Sequence, residues 1–300
     1  MSILNMPSDG LFNVLVVLTR ALVRLGPKPR DDLIKACGAD LGLLDSKQLN
    51  QTLTRWSELG LFNSDDGPVT LREPHRSRLG KTADSAETRL PMVARAIALA
   101  PENNARFWES EENRSADFSR GLSWILAQDV YAIDTSSPPK IAALEGGQIT
   151  DLSKRIFQND TRWNGLRTWM TYLGFGHGGA QVTVDPTEAL RGALEDIFGQ
   201  DESLPAPLFL ERAAGVLPVL DGGVYRLAIE EVLNQASWPR PREGHVSTSL
   251  SRAIQRLDRG GSIAAERKSD TEAGISLLGC DARTWRRITH IRRLPVQKGL

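Results

Sequence analysis

Cysteine is nearly absent from this 300-residue chain, which carries only Cys37 and Cys280. Two thiols give no disulfide framework and too few ligands for a thiolate zinc site, and they suit a reducing compartment. Histidine is also scarce, and His75, His177, His245 and His290 are scattered among unlike contexts. Net charge is missing too: Lys+Arg and Asp+Glu each count 37, so any pull toward nucleic acid or membrane must come from a local patch. No apolar run approaches the ~20 residues of a membrane span. The stretch from Leu11 to Leu18 is interrupted by Asn13 and preceded by Asp9, whereas a signal peptide wants positive charge there. The expectation is a cytoplasmic protein with no membrane partner. His-Glu-x-x-His, Gly-x-Ser-x-Gly, P-loop and paired-cysteine signatures are all lacking, as are fixed-period repeats and low-complexity tracts. The chain therefore reads as a non-enzyme without cofactor or metal. The chemical alternative is a metal-dependent nuclease assembled from distant carboxylates.

What is present is ordinary globular material. Hydrophobic residues at 40% and charged residues at 25% allow a real core, which excludes whole-chain disorder, and the length allows two domains with room for a third. The zero net charge hides an uneven distribution. Asp185 to Gln235 holds ten acidic residues against three basic, whereas Trp238 to Leu300 holds thirteen basic against six acidic. A basic segment after an acidic one is a candidate anion-binding face beside a candidate docking face; chance clustering of solvated charge is the plainer alternative.

Residues 1–80 have the order of a winged helix. Ser8 is a candidate N-cap, and Leu11, Leu15, Leu18, Leu22 and Leu25 recur at helical spacing before Gly26-Pro27 stops the helix. Pro29 opens a short second helix with Asp31 and Asp32 at its positive end. A third begins at Asp45, where Asp-Ser-Lys-Gln48 has capping-box spacing, and Leu49, Leu53, Trp56 and Leu59 form its buried stripe. Leu61-Phe62 and Val69-Thr-Leu71 read as two short strands around a turn. The outward residues of the third helix, Lys47, Gln48, Asn50, Gln51, Thr54 and Arg55, have the chemistry to meet base edges and phosphates. The same set would also suit any solvated helix face, and many winged helices bind proteins.

Residues 81–180 read as a helical middle rich in tryptophan. In Asp160 to Leu173 the apolar residues fall at steps of three and four, as core positions do. Ser136-Ser-Pro-Pro139 and Glu145-Gly-Gly147 predict loops, and Gly174-Phe-Gly176-His177-Gly178-Gly179 predicts a flexible interdomain joint rather than a phosphate cradle.

Residues 185–300 predict a second, basic winged helix. Pro186 to Phe198 and Pro205 to Leu217 are helical, and Val224 to Ala236 reads as a strand running into a helix. Val246, Leu250, Ala253, Ile254 and Leu257 define the buried face of a further helix. Its other face carries Arg252, Arg256 and Arg259, with Ser249 and Gln255 beside them. Ser262 to Ala265 and Gly274 to Leu278 read as a hairpin around a charged tip, and Arg286, Arg287, Arg292 and Arg293 follow around Trp285. These cations could neutralise several phosphates, or pair with the acidic segment from Asp185 to Glu231. The fold class is thus mainly α with short β-hairpins, two winged helix-turn-helix domains flanking a helical middle.

Several stretches carry a resemblance. They are Ser2 to Gly10, Gln48-Leu-Asn-Gln-Thr-Leu-Thr-Arg-Trp56, Ala100-Pro-Glu-Asn-Asn-Ala-Arg-Phe-Trp108, Asn159 to Leu166, Leu217-Pro-Val-Leu-Asp-Gly-Gly223 and Ser247-Thr-Ser-Leu-Ser-Arg252. Together they resemble the DpdG proteins of bacterial islands that place 7-deazaguanine derivatives in DNA and restrict unmodified DNA. The resemblance implies a role on the restriction side of an anti-phage system, alongside other Dpd-island proteins, and it assigns no catalytic residues. The expected partners are double-stranded DNA and those island proteins, with a homodimer allowed. The alternatives are a protein–protein adaptor that binds no DNA alone, and a transcriptional regulator of its own island.

Overall fold

The computed structural model describes residues 3–4, 12–65, 67–109, 114–179, 181–269 and 273–295. The Ser8 cap and Leu11 lie outside them, as does the end of the charged tip, 270–272. The protein is mainly helical with small antiparallel sheets. In chain order it forms α1 (Phe12–Leu25), α2 (Arg30–Ala36), α3 (Ser46–Glu58), β1 (Phe62–Asn63), β2 (Thr70–Leu71), α4 (His75–Leu79) and α5 (Ala83–Leu99). There follow α6 (Ala116–Ala127), α7 (Pro138–Gln148), α8 (Asp160–Tyr172), β3 (Gly176–Gly178), β4 (Val182–Val184) and α9 (Thr187–Phe198). The rest is β5 (Ser203–Pro205), α10 (Ala206–Val216), α11 (Val224–Val232), α12 (Thr248–Arg259), β6 (Ile263–Glu266), β7 (Ile275–Leu278), β8 (Thr284–Ile288) and β9 (His290–Arg293).

The chain divides into two compact units, Met1–Ser119 with Asn159–Leu173, and Arg120–Gln158 with Gly174–Leu300. Residues 81–180 are therefore shared between them. In the first unit α1 packs on α5, α3 and α2, and Leu15, Leu18, Leu49, Leu53 and Leu90 are fully buried there. Gly26 takes φ +74 to end α1, a left-handed turn that glycine adopts without a Cβ penalty. Just beyond it, Lys28 exchanges both backbone hydrogen bonds with Val69, and β1 pairs antiparallel with β2. The Asp45 carboxylate accepts from Lys47 N at 2.8 Å, so it caps α3 without the reciprocal Gln48 bond expected of a capping box. Trp56 and Trp169 meet at 5.5 Å between ring centroids, which makes the tryptophans of α3 and α8 core material.

In the second unit four sequence expectations are corrected. Glu145-Gly-Gly147 is not a loop but part of α7, because the buried Glu145 carboxylate accepts from Ile156 N and Phe157 N, each at 2.8 Å, and ties the helix end down. Burial pushes the Glu145 carboxyl pKa up, while those two hydrogen bonds pull it back. Val224 to Val232 is wholly helical, with Tyr225 N and Arg226 N both donating to Pro218 O. The expected β6–β7 hairpin does not form. Strand β6 pairs with β9, β7 pairs with β8, and the three-stranded sheet runs in the order β5-β9-β6. The glycine-rich stretch after Leu173 lies where the chain passes between units, but it is a strand: β3 pairs with β4. Gly174 is required there by φ +86 and by Ala189 N, which would sit 2.9 Å from a Cβ.

Candidate nucleic-acid interface

Helix α12 is built as its apolar spacing demands, with Val246, Leu250, Ala253, Ile254 and Leu257 all buried against α9, β6 and β7. Its N-terminus is held by a relay rather than by a lone cap. Ser247 Oγ accepts from Leu250 N, and the Asp221 carboxylate in turn accepts from Ser247 N and Ser247 Oγ at 2.5 and 2.6 Å. Asp221 lies 3.5 Å from the buried Arg226 guanidinium, whose Nε donates to Glu230 at 2.7 Å. The N-terminus of α12 is therefore tied to an internal ion network, in which Arg240 also approaches Glu230 at 3.6 Å.

The three stripe arginines point away from that core, and each already touches something. Arg252 lies over the Tyr131 ring at 4.8 Å and donates to Val184 O. Arg256 is exposed but has Nη1 2.8 Å from the buried Asp185 carboxylate, which His177 Nδ1 approaches at 3.7 Å. Arg259 is exposed and sits 5.9 Å from the Trp285 ring centroid. Gln255 is half-buried beside them. Ser249, expected next to the arginines, is instead fully buried and donates to Leu126 O at 2.7 Å. The spacing holds the signal: position 249 is three after Val246 and four before Ala253, on the apolar stripe.

The arginines after the charged tip belong to β8 and β9. Arg286 turns inward, donating to Asp258 and to Ala265 O at 3.1 and 2.6 Å. Arg287 is exposed on β8. Arg292 is exposed and bonded to Glu266 at 2.9 Å, and Arg293 is half-buried. The stripe and the strands thus lie in one unit, with Arg256, Arg259, Arg287 and Arg292 outward.

The equivalent face of α3 is different. Arg55, expected outward, is buried at 4% exposure and pairs with Glu58 at 3.2 Å. Asn50 and Thr54 are each engaged by Arg30 at 2.8 Å. Lys47 is exposed, and Gln48 and Gln51 are half-buried. The strand turn after α3 carries Asp65, which approaches Arg72 at 3.8 Å.

Unit two also holds a cleft of about 570 Å³ lined by Arg240, Arg242, His245, Asp129, Asp281 and Thr284. Its two arginines face two aspartates, so charge does not select a ligand sign. Among the described residues no group of three or more His, Cys, Asp or Glu could hold a metal, and no helix is long and apolar enough to cross a membrane. A family model described as DpdG-like matches residues 1–271. No curated protein and no solved structure matches.

Proposed function

The chain belongs to the DpdG-like family, and from that premise we propose that it is a non-catalytic, duplex-DNA-binding component on the restriction side of a Dpd system. It works in the cytoplasm with other Dpd-island proteins, one of which does the cutting or translocation. The observation that carries this reading is the pair of exposed arginines on α12, Arg256 and Arg259, in the same unit as the exposed Arg287 and Arg292. Strand order supports a winged helix for each module. A winged helix places its first strand against its third and its third against its second, which is the β5-β9-β6 order. The Lys28–Val69 bridge beside the β1–β2 pair repeats that order in the first unit. On this reading β7–β8 elaborates the wing of the second module.

A second reading, an adaptor role for the first module, has its own support. Leu41 and Leu43, between α2 and α3, are 77% and 72% exposed, as suits a protein-docking loop. The two readings combine if the first module docks a partner and the second holds DNA.

The test is binding of the purified chain to a random-sequence duplex across a salt series, beside an Arg252/Arg256/Arg259→Glu variant. Removing one cation from a phosphate lowers the salt slope by roughly 0.9. The expected result is salt-sensitive binding that this variant abolishes and a Lys47→Glu variant keeps within about threefold. No binding by the intact chain at low salt sinks the DNA reading and leaves the adaptor. Strong preference for one short palindrome would instead make it a regulator of its own island.

A further inference from the structure

We propose that the β7–β8 ribbon carries a stacking site for an unpaired nucleobase, with Trp285 as the platform and Arg259, Arg283 and Arg287 as the cations for its flanking phosphates. This rests on, and goes beyond, the reading of the second module as DNA-binding. The ribbon lies past the family match, which ends at residue 271, so only the chain's own residues support it.

Tryptophan is the side chain that gains most from burial, and Trp56, Trp124, Trp163, Trp169 and Trp238 are all buried here. Trp285 is 40% exposed. Its place explains why. Along β8 the inner positions are Arg286, bonded to Asp258 and Ala265 O, and the buried Ile288. The ribbon is irregular between them: Leu277 pairs with Arg286 and Leu278 with Thr284, so Trp285 is the extra, unpaired residue of a bulge, while Arg287, paired across the ribbon with Ser276, is exposed one step beyond Arg286. Arg283, two residues before Trp285, is also exposed. From α12, Arg259 brings its guanidinium to 5.9 Å from the ring centroid. That contact orients the indole while leaving part of it open to solvent.

The turn that leads into β8 is itself fixed. Asp281 and Ala282 take φ +57 and +52, left-handed values that are costly for alanine. Gly279 N donates to Arg283 O at 2.8 Å and closes that turn. The indole thus sits on a fixed ribbon, not on a free loop.

An exposed indole among guanidinium groups calls for a partner with a flat π face and negative charge. An unpaired nucleotide offers both. The base of an intact duplex does not, since its faces are already stacked inside the helix. A single strand, a duplex end or a strand opened by a partner enzyme each presents such a base. Arg256 and Arg292 would hold duplex phosphates without contacting it.

The test compares anisotropy binding of a labelled oligothymidine strand and of a random-sequence duplex to the full-length chain, for the intact protein, Trp285→Ala and Trp285→Phe. Circular dichroism and thermal unfolding check that each variant folds. Stacking on one base predicts that Trp285→Ala weakens the strand by roughly 5- to 100-fold while the duplex changes by less than about twofold. Trp285→Phe, which keeps a π face, recovers the strand to within about threefold. Oligothymidine should also quench part of the tryptophan emission of the intact protein, and Trp285→Phe should lose that part while still binding. Equal loss for strand and duplex, or no loss for the strand, overturns the stacking site. If the intact chain binds duplex normally in that outcome, the DNA reading stands without it. If the intact chain binds neither probe, both fall together.

Discussion

Helices α3 and α12 each precede a strand that joins an antiparallel sheet, and they differ in what their polar side chains touch. On α3 three of the polar side chains are turned to the protein itself, with Arg55 buried against Glu58 and Asn50 and Thr54 held by Arg30, while Lys47 stays exposed. On α12 the buried polar side chains are Thr248, Ser249 and Ser251, Asp258 accepts from Ala265 N and Arg286, and Arg256 and Arg259 stay at the surface, Arg256 over the internal Asp185. A guanidinium held by one carboxylate on one side still presents further donors on the other. The caps differ in the same sense. Asp45 caps α3 alone, whereas Ser247 caps α12 through Asp221 and the buried Arg226. Helices in like sequence positions can thus be finished for opposite purposes, one closed and one open.

The largest blow to this comparison would fall on the relay. Arg226→Met leaves Asp221 and Glu230 without their shared buried cation, and should cost about 3–5 kcal/mol in denaturant unfolding of the second unit. A cost under about 1 kcal/mol would mean that the network is incidental to α12. The lone cap is the smaller lever. Asp45→Ala should cost about 1 kcal/mol, read from the first unit's transition. If it costs as much as Arg226→Met, the contrast between caps is gone. The mildest test changes no residue. Burial raises the Cys37 thiol pKa to about 11, so at pH 8 about one molecule in a thousand carries the thiolate. Cys280 is exposed. A thiol reagent should therefore label Cys280 in the folded protein and Cys37 only after the first unit unfolds. Prompt labelling of both would show that unit to be more open than its packing implies.

Local pattern and nonlocal pairing separate what is legible in the sequence from what is not. The bounds of α3, α9, α10 and α12 follow from apolar spacing, capping residues and glycine stops, and they stand within a residue or two of where those signals put them. Strand partners do not follow from such signals. Segments 262–265 and 274–278 are near in sequence and separated by a short charged tip, so a hairpin is the local choice. The sheet instead prefers β9, whose Ile291 is buried between Leu204 and Ala265. Glu145 reads as a loop residue because its compensating donors, Ile156 N and Phe157 N, lie eleven and twelve residues on. Of the candidate interface, the arginine stripe is visible as a periodicity. Arg55 is misplaced by sequence reasoning because three steps back lies Thr52, a polar residue that is itself buried and marks the edge of the core face. Trp285 stands out in the sequence only as an aromatic among cations; its exposure needs the structure.

The central strand of the three-stranded sheet is also the last of the three to be synthesised. Strands β5 and β6 have no hydrogen bonds to each other, and both wait for β9, so Ser203 finds its partner only when Arg292 arrives. Pairings this distant along the chain slow folding, because the connecting loop must be ordered before any contact rewards it. During synthesis β5 and β6 are bare edges while α9, α10 and α12 are already made. The second unit is therefore expected to reach its native state late and all at once. Refolding it from denaturant should show a phase slower than that of the helical first unit.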